Sequence, residues 1–357
     1  MKVIHVDTSH SLRGGQQQLL FLMEEFRKQN VEQKLIVPQV SALADQAAPK
    51  GFPVERLNLE GLALFGAIGL LRNCLAEFRP DILHLHDGRA HGLGQWANQK
   101  SGIPAVIARR IDFPIRRNWF SGWKYARSKQ RFIAVSQAVK QTLIESGIPE
   151  GRIDVVYDCV DPALEPSLTM KNRKNSSEFV IGCVGAFEPE KGQGLLIQAV
   201  ARAKERIPGL RCILAGEGQL REDLKHRVEQ LSLPGVVSVE HFPESLPEFM
   251  ARLDLFVLPS LQEGLGSINL VALRCGVPVL ASNTGGVSEI IRDQNTGFLF
   301  SCGDGSALSE ALVRLHDDRA TLSSVIAPAQ EHVLKNFSCA WMAGETLKVY
   351  QSLLETN

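Results

Sequence analysis

"EGLGSINLVALRCGVPVLASNTGGVSE", residues 263–289, sets two glycine-bearing turns around one short helix and one apolar strand. Gly264 and Gly266 let a loop approach a ligand without interference from a Cβ, and the run Ser267 to Cys275 predicts a helix whose first amides lack an intrahelical partner. Those amides and the helix dipole favour phosphate. "VPVLAS" (277–282) then reads as a buried strand, and Gly285 and Gly286 open a second helix at its carboxyl end. The stretch is expected to hold an anion.

Outward from it, short apolar runs alternate with helical patterns along the whole chain. "KVIHV", "KLIV", "DILHLH", "AVIAR", "RFIAV" and "IDVVY" come first, and "FVIGCVGA", "RCILAG", "VVSVE", "DLFVLP", "VPVLA" and "GFLF" follow. A βα rhythm played twice predicts two parallel-sheet domains. The polar, proline-containing stretch Asp161 to Glu178 reads as a linker, which gives domains of 1–170 and 171–335 and a terminal helical segment, 336–357.

The 357 residues include 39 basic and 39 acidic side chains, a net formal charge of +0, so charge balance does not indicate a general nucleic-acid binder. Seven cysteines without C-x-x-C pairs read as reduced core residues of a cytoplasmic protein. "MKVIHVD" begins a strand at once, and the longest apolar run, "LALFGAIGLL", stops at Arg72, too short to span a bilayer. A cytoplasmic chain, at most peripheral on a membrane, is expected.

Polar residues gather where strands end. After the first strand, Gly14 and Gly15 form a turn that either faces helix amides to a donor phosphate or acceptor, or is simply a tight strand-to-helix connection. "HLHDGRAH" (84–91) places His86, Asp87, Arg89 and His91 at the carboxyl rim of the first sheet, while His84 reads as a core histidine. His86, Asp87 and His91 fit no zinc spacing, and no metal is expected. Between Ala108 and Phe132, Arg109, Arg110, Arg116 and Arg117 interleave with Trp119 and Trp123. That mixture suits an anionic membrane surface or a phosphorylated glycolipid, and equally a solvated helix with half-buried rings. In "GAFEPEKG" (185–192), Lys191 stands at a helix start, where it is either a surface lysine after a turn, the plainer reading of the residues alone, or neutralises leaving-group charge if a diphosphate lies there.

The 263–289 stretch and "GAFEPEKG" together resemble the donor-site signature of retaining GT-B glycosyltransferases of the GT4 type, and the likeness runs from "RGGQQQLL" to the terminal helix. It implies two Rossmann-like, doubly wound α/β domains facing a cleft, with the C-terminal helix crossing back to the first. It implies transfer from a nucleotide-diphosphate sugar to a glycan or glycolipid acceptor, in lipopolysaccharide or other envelope glycans, without a cofactor. By resemblance, Glu263 holds the donor sugar; Leu265, Gly266, Ser267 and Ile268 with Lys191 hold the diphosphate; His241 and Phe242 lie beside the base; and His86 faces the sugar. The chain departs from the pattern twice: Val271 stands where a ribose-binding acid belongs, and Ala186 where an arginine grips the diphosphate. A scaffold with weakened catalysis, acting as a partner subunit, is the competing expectation. No D-x-D sequence occurs, so no metal-bridged diphosphate is expected.

Overall fold

The computed structural model describes residues 1–59, 63–115, 125, 130–161, 163–164 and 178–355. The chain forms two compact units, Met1–Cys159 with Cys339–Asn357, and Val160–Ser338. Each is built on one wholly parallel sheet.

In the first unit the strands are β1 (Lys2–Val6), β2 (Glu32–Pro38), β3 (Val54–Leu57), β4 (Ile82–Leu85), β5 (Ala105–Arg109), β6 (Gln130–Ala134) and β7 (Ile153–Val155), in the order β3-β2-β1-β4-β5-β6-β7. Strands β1 and β4 are apolar and buried nearly throughout, as a sheet covered on both faces requires. One face packs on the helix Gly14–Lys28 and on the terminal helix Cys339–Glu355, where Val3, Phe26, Ile82, Val106, Tyr350 and Leu353 share a core. Tyr350 is fully buried, and each such large side chain contributes about 1.5–3 kcal/mol by burial. The terminal helix therefore belongs to the first unit.

The second unit carries β8 (Phe179–Val184), β9 (Leu210–Ala215), β10 (Val237–Glu240), β11 (Leu255–Leu258), β12 (Val279–Asn283) and β13 (Phe298–Ser301), in the order β10-β9-β8-β11-β12-β13. Its core joins Phe179, Ile181, Leu196, Leu214, Val257 and Leu312.

Two expectations are corrected. The chain leaves the first unit after Cys159, not near residue 170, because Val160 N–H donates to the carbonyl of Phe337 at 2.9 Å and so joins the second unit at once. Most of the polar stretch 161–178 lies outside the described residues. Nor are all cysteines reduced: Cys159 and Cys339 are disulfide-bonded, with Cα atoms 5.0 Å apart, because the two chain crossings run side by side. Cys74, Cys183, Cys212 and Cys275 are free and buried, and Cys302 is free and exposed. No helix among the described residues is long and apolar enough to cross a membrane.

Candidate active site

In a doubly wound sheet, the strands on either side of the point where winding reverses send their following loops apart, which opens a crevice at their carboxyl ends. In the second unit that point lies between β8 and β11. The loop after β8 ends in the short turn Pro189–Lys191, and Gly192 follows with φ +66°. A Cβ on Gly192 would lie 2.1 Å from the carbonyl oxygen of Pro259, so only glycine lets the β8 and β11 loops approach this closely. As a result Lys191 Nζ donates to Glu263 Oε1 at 2.8 Å, although 72 residues separate them. Ser260 Oγ donates to the same oxygen at 2.8 Å. Glu263 is 10% exposed and Lys191 27%, so the pair is partly shielded and still reachable.

The glycine loop follows. Gly266 has φ +76°, and the amides of Asn269 and Leu270 bond back to the carbonyls of Gly266 and Ser267, closing the first turn of the helix Ile268–Arg274. Leu265 and Gly266 are buried, and Ser267 and Ile268 half-buried. The helix predicted after Gly286 is a single turn, Val287–Ile290. Val271 is half-buried, and the Ala186 carbonyl accepts from Gln193 Nε2 at 2.9 Å. Beyond β10, His241 Nδ1 bonds Glu217 Oε1 at 2.5 Å, which holds the Glu217 carboxyl below its usual range, and Phe242 is 50% exposed. Sequence reasoning missed Asn269. It is fully buried in the glycine-loop helix, and neither end of its amide has a partner among the described residues. Its only sequence signal was an amide at an otherwise apolar position.

In the first unit the reversal lies between β1 and β4. Asp87 accepts from Thr8 N at 2.6 Å and Thr8 Oγ1 at 2.7 Å, and caps the helix Gly88–Ala97 through the amides of Arg89 and Ala90. His91 is buried edge-on to Tyr125. Asp87 and His91 therefore do not converge with His86 on one point. The imidazoles that do gather are His5, His84 and His86, all buried, with ring nitrogens within 4.8 Å of one another. Burial lowers all three pKa values, that of His5 to about 4, so the rings are neutral at pH 7. The carboxyl of nearby Asp7 is raised to about 6, first by burial and then by Asp87, against a hydrogen bond from Gln16 Nε2 at 2.9 Å.

Arg109 and Arg110, expected as possible acceptor or membrane contacts, are both half-buried at the end of β5. Arg110 is ion-paired to Asp158, burial lowers its pKa to about 10, and Arg109 donates to the Phe113 carbonyl. A Cβ on Gly15 would lie 3.3 Å from Arg110 Cδ, so this glycine makes room for that side chain, whereas Gly14 faces open space. Arg116, Arg117, Trp119 and Trp123 lie outside the described residues.

The profile described as glycosyl transferases group 1 matches residues 166–332, and that described as glycosyltransferase family 4 matches 12–164. The chain belongs to this glycosyltransferase family. Among relatives of this group 1 glycosyltransferase is the UDP-Gal:alpha-D-GlcNAc-diphosphoundecaprenol alpha-1,3-galactosyltransferase of Escherichia coli, 25% identical over 344 residues, 89% of each chain. The lipopolysaccharide core biosynthesis mannosyltransferase LpsB of Rhizobium meliloti is 26% identical over 328 residues, 85% of this chain and 92% of the relative. HepE of Anabaena, crystallised with UDP, superposes with a TM-score of 0.86 at 22% identity, over 99% of this chain and 100% of that one. The two-domain GT-B fold is thereby shown.

Proposed function

We propose that this glycosyltransferase moves a sugar, with retention at the anomeric carbon, from a nucleoside diphosphate donor to a glycan or glycolipid of the cell envelope. The observation that carries the reading is the Lys191–Glu263 pair at the β8/β11 reversal. A donor places a diphosphate and a polyhydroxylated ring side by side, and the pair offers an ammonium for the first and a carboxylate for the second. Lys191 offsets the charge growing on the leaving phosphate, and the glycine-loop amides add to it. Glu263 accepts from sugar hydroxyls, which holds the ring oriented for departure. In the first unit, His86, whose buried ring stays neutral, is the residue suited to accept a hydrogen bond from a hydroxyl. The lysine and helix ends take the place of a bridging metal, in keeping with the lack of a D-x-D sequence. Phe242, exposed beyond β10, is offered to the base. The relatives that act on diphosphoundecaprenol-linked and lipopolysaccharide core sugars support a lipid-linked acceptor met at the cytoplasmic face of the membrane.

Ala186 and Val271 favour a second reading, a scaffold with weakened catalysis. Release of UDP from UDP-glucose, the donor bound in a HepE crystal, separates the two. Slow hydrolysis without acceptor supports an enzyme. Binding of UDP with no release from any UDP-, GDP- or ADP-sugar supports the scaffold.

A further inference from the structure

The helix Ile268–Arg274 buries one face, with Asn269, Leu270, Ala272 and Leu273 in the interior of the second unit. Three of these side chains are apolar. The fourth is an amide that is 0% exposed, with neither Nδ2 nor Oδ1 bonded. A donor and an acceptor left dry and unpaired cost stability that leucine, a side chain of similar size, would not cost. The amide also has a particular neighbour. A Cβ built on Gly266 would lie 3.1 Å from Asn269 Nδ2, 3.2 Å from Leu258 Cδ2 and 3.2 Å from Val287 Cγ2. Leu258 closes β11, and Val287 opens the single helical turn that follows β12. Asn269 therefore sits under the glycine loop at Gly266, where three segments of the β8/β11 crevice meet, with apolar groups beside it.

A trans peptide holds its N–H and C=O on opposite sides, so a loop that turns an amide out towards an anion turns a carbonyl in. Under this loop the inner side is dry, since Leu265, Gly266, Leu258 and Val287 are all buried. A carbonyl driven there needs a donor. We propose that Asn269 is a positioning residue that supplies it: when a diphosphate occupies the glycine loop, the peptide between Leu265 and Gly266 rotates, its N–H meets the phosphate, and its carbonyl accepts from Asn269 Nδ2. The inference rests on the reading of this loop as the diphosphate site and adds the group that holds the loop in its binding form. Glycine is needed at 266 on two counts: it leaves room for the amide, and it tolerates the change of backbone angle that the rotation demands. The unpaired amide burdens the free chain and is satisfied in the complex, so it adds to the difference between the two states that binding can draw on. Because neither end of the amide is bonded, a half-turn about its last bond breaks nothing, and the donor end can always face the loop.

The test is Asn269→Leu in the full chain, which keeps the volume and removes the amide. Without nucleotide the variant should melt about 2–4 °C higher than the unmodified chain. Its affinity for a nucleoside diphosphate, titrated calorimetrically, should be weaker by about tenfold, the loss of roughly one hydrogen bond. A residue that only packs the helix would move both readings the same way. A free variant that melts at the same temperature or lower means that the amide is already satisfied, and overturns the proposal; so does unchanged affinity. Asn269→Asp, which keeps the shape and lacks the donor, should weaken binding as well and serves if the leucine variant does not fold. In proton–nitrogen correlation spectra, the side-chain amide lost in either variant should move downfield and exchange more slowly with water when nucleotide is added to the unmodified chain. An amide signal unmoved at saturation also overturns the proposal. UDP, GDP and ADP are the probes, and the titration uses whichever binds. A chain that binds none of them refutes the diphosphate reading and this inference with it, whereas equal binding by the unmodified chain and Asn269→Leu refutes this inference alone.

Discussion

Removing the Glu263 carboxylate probes the centre of the proposed donor pocket. Its Oε1 accepts from both Lys191 and Ser260 at 2.8 Å, so Glu263→Ala deletes one charge-assisted bond and one hydroxyl bond. These are worth roughly 1.5–3 and 1 kcal/mol. Lys191 is 27% exposed, so water reaches the orphaned ammonium, and the stability loss should be about 2 kcal/mol rather than the 3–5 of a fully buried broken pair. In a unit of this size that lowers Tm by roughly 4–8 °C. Activity should fall further, because a carboxylate aimed at sugar hydroxyls in a shielded site contributes about 2–4 kcal/mol to the transition state, roughly 30- to 1,000-fold in kcat. The assay is a double-mutant cycle of Glu263→Ala and Lys191→Ala, read by melting and by UDP release. Residues sharing a bond should show about 1–3 kcal/mol of non-additivity. A folded Glu263→Ala with the wild-type rate, or strict additivity in both readouts, would refute the placement of the donor on this pair.

Val271→Glu, restoring the acid at a half-buried position of the glycine-loop helix, should tighten binding of the cognate nucleoside diphosphate about ten- to a hundredfold in calorimetric titration. Unchanged or weaker binding in the folded variant would move the ribose away from this helix. Stability should fall as pH drops from 6.5 towards 4: His5, with its pKa lowered to about 4, and the likewise depressed His84 and His86 stay neutral in the fold while the unfolded chain binds their protons. Asp7, raised to about 6, acts the other way, since its contribution is present below pH 3.8 and is lost as pH rises through 6. Three groups against one should leave Tm rising from pH 4.5 to 6.5, with a flatter rise in His5→Phe; a flat wild-type curve would contradict the burial of these rings. Closing a loop of 180 residues constrains the unfolded chain by up to about 5 kcal/mol, so Cys339→Ser should lower the oxidised protein's stability by a few kcal/mol and leave the reduced protein's nearly unchanged. Denaturant titration with and without reductant checks it.

The fold was legible because each parallel strand announces itself as a short apolar run, and the run does not depend on its neighbours. What depends on neighbours was harder to read. His84 and His86 alternate visibly in "HLHD", but that His5 joins them follows from the pairing of β1 with β4, which no local pattern encodes. Arg109 and Arg110 were legible as polar residues at a strand end, but the ion pair of Arg110 with Asp158 was not, because that partner lies 48 positions on in sequence. Lys191 and Glu263 were singled out together through the family resemblance, and the glycines beside them physically permit their approach, as Gly192 against Pro259 shows. The cysteine pair offered no spacing signal at a separation of 180 residues.

The chain crosses out of the first unit after Cys159 and re-enters it at Cys339, and both of its ends lie in the first unit. The disulfide joins those two gateposts. Tension applied between the termini then has a covalent shortcut: it passes from residue 159 through sulfur to residue 339 and never loads the 179 residues between. Once the bond is reduced, the second unit enters the line of force. A single molecule stretched from its ends should therefore extend by the contour of one unit when oxidised and of two when reduced, so the second unit would be mechanically sheltered or exposed according to redox state.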